Sequence, residues 1–231
     1  MLHWYNVTMY LTDAKAYLDV IKDAEQRRAK LLPDDPDAAY DQWLFHDAPF
    51  INELCIVFLV ALRHHVEHRL TFFAACAADG GKPISRTEFS DRMKQLSKPK
   101  AKWDAIEKRL HPDQCVHYQV IEALQHLANA YKHNANLEPD HRLLKHLGLP
   151  PNRTYAPNER GALTYAPIPE SEVLQNALAA IVGLPANSPY SQIATVFVER
   201  TQGFLDDLEA RNTISRVKGG RVGFSSDQLA H

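Results

Sequence analysis

The run Leu54-Cys55-Ile56-Val57-Phe58-Leu59-Val60-Ala61-Leu62 is apolar nearly all round any helix it could form. A helix with no polar face has to be enclosed by others. Asp47-Ala48-Pro49 is a start signal with proline in the first turn, and Asp79-Gly80-Gly81 a stop. Together they predict one long helix from about Pro49 to Ala78 at the centre of the core. The run is far shorter than the roughly 20 residues a membrane span needs. With 231 residues, 45% of them hydrophobic, the chain is long enough to wrap such a helix.

The surrounding pattern is helical. Leu11, Ala14, Leu18, Ile21 and Ala24 recur every three or four residues from about Tyr10 to Leu32, where Pro33-Asp34-Asp35-Pro36 intervenes. A short helix is expected from Asp37 to Phe45. Ser85-Arg86-Thr87-Glu88 has capping-box spacing and opens a helix to about Ser97. Lys98-Pro99-Lys100 breaks it, and a further helix covers Trp103 to Leu110. After His111-Pro112-Asp113, Val116, Val120, Leu124, Leu127 and Tyr131 mark a second long helix ending near His133. Pro139 to Leu147 and Glu170 to Val182 read as helices. Ser188 is the expected cap, with Pro189 in the first turn, of a last helix reaching about Ile214.

The fold class that follows is all-α: a helical bundle with two long core helices and a small Pro-rich insertion. The insertion carries Thr154-Tyr155-Ala156-Pro157 and again Thr164-Tyr165-Ala166-Pro167, which suits a β-hairpin arm or a plain loop. The expected organisation is a bundle over 1–147, the arm over 148–169, packed C-terminal helices over 170–217 and a flexible tail over 218–231.

Net charge is −2, so no global nucleic-acid signature is present. Between Arg86 and Arg109, however, eight Lys/Arg stand against four Asp/Glu. Arg92, Lys94, Lys98, Lys100 and Lys102 are the candidate phosphate contacts there, against the alternative of a solvated helix face. Three cysteines are too few for a disulfide framework and suit a reducing cytoplasm. No signal peptide is evident, and a cytoplasmic location with no membrane association is expected. No Gly-x-x-x-x-Gly-Lys loop or Gly-x-Ser-x-Gly elbow occurs, which disfavours nucleotide hydrolysis and serine-hydrolase chemistry.

The chemistry concentrates at Arg63-His64-His65-Val66-Glu67-His68, where the apolar run ends. Charged groups placed there need partners. One account is a metal: His64 and His68 share a helix face. But Glu67 is misplaced for His-Glu-x-x-His, and neither Glu53 nor Glu67 on this helix has a histidine three residues on, so no metal or other cofactor is expected. A second account is structural, with Arg63 and Glu67 pairing at i,i+4 inside a packing network. A third is RNA cleavage without metal, where imidazoles move protons and a guanidinium holds the phosphorane. A fourth is partner binding without catalysis.

Arg63, His64 and His68 read as Arg-polar-x-x-x-His. This resembles the Arg-[Asn/Asp/His]-x-x-x-His signature of the HEPN superfamily. A second string, Asn129-Ala130-Tyr131-Lys132-His133, resembles the Asn-x-x-Lys-His endings of several HEPN-like families. The resemblance implies an all-α endoribonuclease of a bacterial antiviral-defence or toxin–antitoxin type. It implies RNA as substrate, a homodimer, and an antitoxin or other defence-system protein as possible partner. Arg63, His64 and His68 would be catalytic, with Glu67, Asn129, Lys132 and His133 supporting them. Arg63 and His68 lie about 140° apart around an ideal helix. They therefore form half a site, completed by the Asn129–His133 helix end or by a second subunit. The alternative function is a non-catalytic all-α interaction or dimerisation protein with a structural Arg/Glu/His network.

Overall fold

A computed structural model describes residues 3–30, 35–38, 48–77, 82–132, 145 and 171–212. They form seven α-helices: α1 (His3–Lys30), α2 (Ala48–Cys76), α3 (Arg86–Gln95), α4 (Pro99–Leu110), α5 (Tyr118–Lys132), α6 (Ser171–Ile181) and α7 (Tyr190–Arg211). A 3-10 turn, Pro112–Gln114, precedes α5. No strand occurs among the described residues, and the fold is all-α. The expected arm over 148–169 and the tail over 218–231 lie outside the described residues. So does most of the expected helix from Asp37 to Phe45, of which 37 and 38 are helical, and nearly all of that from Pro139 to Leu147.

The chain divides into two compact units. One is Met1–Val66 with Gln119–Gln202, the other Glu67–Tyr118 with Gly203–His231. In the first unit the apolar run of α2 is enclosed as its composition demands: Ile51, Cys55, Ile56, Phe58, Leu59 and Leu62 are buried. α1 contributes Ala14 and Ile21. α5 contributes Val120, Ile121, Leu124, Leu127 and Ala128, α6 contributes Leu174 and Leu178, and α7 contributes Tyr190, Ile193, Ala194 and Phe197. Some large apolar side chains also remain exposed. Tyr17, Val20, Phe50 and Val57 face solvent, with Tyr17 against Phe58 at 6.1 Å and Arg28 over Phe50 at 5.3 Å.

Helix ends in this unit are closed by different devices. α6 stops in a Schellman turn: Leu184 N donates to Ala179 O at 2.8 Å and Gly183 N to Ala180 O at 3.1 Å. Gly183 sits there at φ +75°, where a side chain would be strained. At the start of α7 the expected Ser188 cap is turned away, its hydroxyl donating to Pro185 O at 2.7 Å. The carboxylate of Glu25 on α1 takes its place and accepts from Ser191 N at 3.3 Å and from the Ser191 hydroxyl. Beside it Tyr190 donates to Asn52 at 3.1 Å, and burial next to Glu25 pushes the Cys55 thiol up to about 12.

In the second unit Leu70, Phe73, Ile84, Phe89, Leu96, Ile106, Leu110, Phe204, Leu205 and Leu208 are buried. Ser85 caps α3, accepting from Glu88 N at 3.1 Å. The Glu88 carboxylate pairs with Arg92 at 2.6 Å. Two sequence expectations are corrected here. The break before Lys98-Pro99-Lys100 is present, but the helix expected from Trp103 begins earlier: Pro99 is the first residue of α4, a position where its missing N–H matters least. Val116 does not belong to the long helix. It is exposed and precedes α5, because Cys115 to His117 form an irregular turn with His117 at φ +59°. That turn is held from α7: Asp207 accepts the Val116 N–H at 2.9 Å. Gly203 leaves room for the His117 ring, which a Cβ there would meet at 3.2 Å.

Candidate functional site

In the first unit the last apolar turns of α2 give way to Arg63, His64 and His65. Arg63 is 2% exposed and His65 4%, while His64 is half-buried. A buried guanidinium has to be hydrogen-bonded. Two of the three Arg63 nitrogens do this through one acceptor: Nε donates to Gln125 Oε1 at 2.6 Å and Nη2 to the same oxygen. Gln125 Nε2 then donates to Asn129 Oδ1 at 3.1 Å. The two strings that carry the sequence resemblance are thus joined through α2 and α5.

α5 presents this polar edge because of its own periodicity. Its apolar residues recur at 120, 121, 124, 127 and 128 and are buried. Glu122, Gln125, His126 and Asn129 occupy the flank and are half-buried. Glu53 on α2 accepts from the Tyr131 hydroxyl at 3.1 Å, a second tie between these helices. Gln125 does not stand out in the sequence. The available signal is its i,i+4 spacing to Asn129 on the non-apolar side of α5.

Lys132 is the last residue of α5, and its side chain and His133 lie outside the described residues.

In the second unit Glu67 is paired with Lys102 of α4, and Lys102 also lies 5.6 Å from the Trp103 ring. His68 is exposed. The candidate phosphate contacts separate into two kinds. Arg92 is committed to Glu88 and to Ala75 O, which it reaches at 3.0 Å, and Lys102 is committed to Glu67. Lys94, Lys98 and Lys100 are exposed, Lys94 standing 3.4 Å from Asp91. Arg109 Nη1 donates to Ala74 O at 2.8 Å, so Arg92 and Arg109 together close the C-terminal carbonyls of α2. α2 has no basic residue of its own in that turn.

Among the described residues no three His, Cys, Asp or Glu side chains are grouped as ligands for a metal. No described helix is long and apolar enough to cross a membrane. No family model, curated protein or solved structure matches this chain. The site therefore rests on its own chemistry. In the first unit it offers a buried guanidinium, two amides in series behind a half-buried helix edge, and the half-buried imidazole of His64.

Proposed function

We propose that this chain is a HEPN-like, metal-independent endoribonuclease of a bacterial defence or toxin–antitoxin type, acting in the cytoplasm as a homodimer. The observation that carries the proposal is the hydrogen-bonded path Arg63–Gln125–Asn129. It joins the two strings that carry the HEPN resemblance, from positions 62 residues apart between Arg63 and Gln125.

The reaction needs a base to remove the ribose 2′-hydroxyl proton as the 2′-oxygen bonds to phosphorus. It needs an acid to protonate the 5′-oxygen as its bond to phosphorus breaks, and a 2′,3′-cyclic phosphate results. Imidazole suits both proton transfers at neutral pH. His68 is assigned as acid or base, with His64 beside it. Arg63 stabilises the phosphate from the core, through Gln125 and Asn129, and Glu67, Lys132 and His133 support the site. The exposed Lys94, Lys98 and Lys100 suit backbone phosphates of RNA. The exposed Tyr17, Val20, Phe50 and Val57 suit an apolar contact with a second copy or a partner protein.

The decisive experiment is cleavage of RNA in excess EDTA, with identification of the product ends. Wild-type protein is expected to leave cyclic phosphates, and His68→Ala to lose cleavage while its melting temperature is retained. Undiminished cleavage by folded His68→Ala would sink the assignment.

A second reading is favoured by one specific observation: Arg63 is 2% exposed and doubly bonded to Gln125. Under it the chain is a non-catalytic interaction protein and the Arg63 network is a brace. Its signature is wild-type protein inert toward RNA, together with a large drop in melting temperature for Arg63→Ala.

A further inference from the structure

The hydrogen bonds around Gln125 have a direction, and that direction follows from chemistry alone. Arginine only donates. The Gln125 atom facing Arg63 must therefore be its carbonyl oxygen, and it takes both guanidinium hydrogen bonds. The atom left to face Asn129 is the NH2 group, which only donates. Asn129 must answer with its carbonyl oxygen, as observed at 3.1 Å. Its own NH2 group is then turned away from the network. Among the described residues no acceptor takes the Asn129 Nδ2 hydrogens, and that atom is not among the buried side-chain atoms left without a hydrogen-bond partner. Asn129 itself is half-buried on the edge of α5.

We infer that Arg63, Gln125 and Asn129 form a one-way relay that presents the Asn129 NH2 group as a donor site for a phosphodiester oxygen of RNA. Gln125 is the positioning residue that sets its sense. Each amide in the series is polarised by the donor behind it, so the guanidinium's positive charge strengthens the last N–H without leaving the core. A phosphate oxygen, which accepts only, matches this sense. A group that must donate does not. The assignment deepens the ribonuclease reading and rests on it for the identity of the ligand, but the relay can be tested on its own.

Gln125→Glu reverses the relay without emptying it. The introduced carboxylate still accepts from Arg63, and its second oxygen now faces Asn129. Asn129 must flip, giving its NH2 to that oxygen and showing its own carbonyl oxygen to solvent. Asn129→Asp keeps the acceptor that Gln125 needs and replaces the outward donor with a second acceptor. Both variants preserve the packing volume, so the fold is expected to survive in each.

The probes are inorganic phosphate and a 2′-O-methyl oligoribonucleotide, which lacks the hydroxyl needed for cleavage. In wild-type protein the Asn129 side-chain NH2 resonances are expected to shift on phosphate titration. In Gln125→Glu that shift disappears, and oligonucleotide affinity falls roughly ten- to a hundredfold in both variants, as for losing a hydrogen bond to a charged group. Equal binding by folded Gln125→Glu and wild type, or no phosphate-induced shift at Asn129 in the wild type, overturns the relay. If the shift appears and depends on Gln125 but no RNA is cut in EDTA, the relay stands and the ribonuclease assignment falls. If RNA is cut while Gln125→Glu binds normally, the ribonuclease stands and the relay falls.

Discussion

Asp207 shows how much a single side chain can decide outside the candidate site. It accepts the Val116 N–H and pairs with Arg211 at 2.8 Å. The Val116 N–H above all, and then Arg211, hold its carboxyl below the ordinary 3.8. The folded protein thus takes up this proton less readily than the unfolded chain does. The resulting stabilisation is present above about pH 4 and is lost as pH falls through the folded value. Asp207→Asn is expected to melt at a lower temperature than wild type at pH 7, by a small margin because its partner Arg211 is exposed. The gap should narrow as melting is repeated at successively lower pH below about 4. A gap that stays constant with pH would show that the Asp207 charge plays no part. The thiols need no such balance. Burial raises Cys55 to about 12 and Cys76 to about 11, so neither ionises appreciably at neutral pH.

Among the helices, the boundaries set by local chemistry are legible in the sequence and those set by tertiary partners are not. α2 and α3 can be placed because the apolar run, Pro49, Ser85 and Asp79-Gly80-Gly81 act within one turn of themselves. Spacing alone assigns Val116 to α5, whereas the turn before Tyr118 depends on Asp207 and Gly203, some ninety positions later in the chain. Ser188 has the form of a cap, but the packing of α1 brings Glu25 to Ser191 instead. The same division holds for the site. Arg63 and Asn129 stand out by residue type, while Gln125 acquires meaning only when α2 and α5 are side by side. The C-terminus of α2 also depends on remote partners, since its carbonyls at Ala74 and Ala75 are answered by Arg109 and Arg92. Replacing either arginine with methionine is expected to cost about 1–2 kcal/mol, from a charge-assisted bond at a helix C-terminus. Amide exchange should show faster opening of the last turn of α2 in both variants, with its first turns unchanged. Protection unchanged in the last turn would show that the two guanidinium groups do not hold it.

For the whole molecule the main fact is that neither unit is a continuous stretch of chain. α2 passes from one to the other at Val66 and Glu67, and α7 does so at Gln202 and Gly203. The fragment 67–118 alone lacks Phe204, Leu205 and Leu208, which are buried in the intact chain, and the Asp207 contact to Val116. It is expected to be unfolded by circular dichroism and to gain structure only when a peptide spanning α7 is supplied. A cooperative melt by the isolated fragment would contradict that dependence. The exposure of Tyr17, Val20, Phe50 and Val57 has a consequence in solution. At a formal net charge of −2, two copies repel one another only weakly. What repulsion there is fades with ionic strength, while kosmotropic salts strengthen contact between apolar surfaces. Colloidal attraction between molecules should therefore grow, not weaken, as sulfate or phosphate is added. The osmotic second virial coefficient would become more negative along that series.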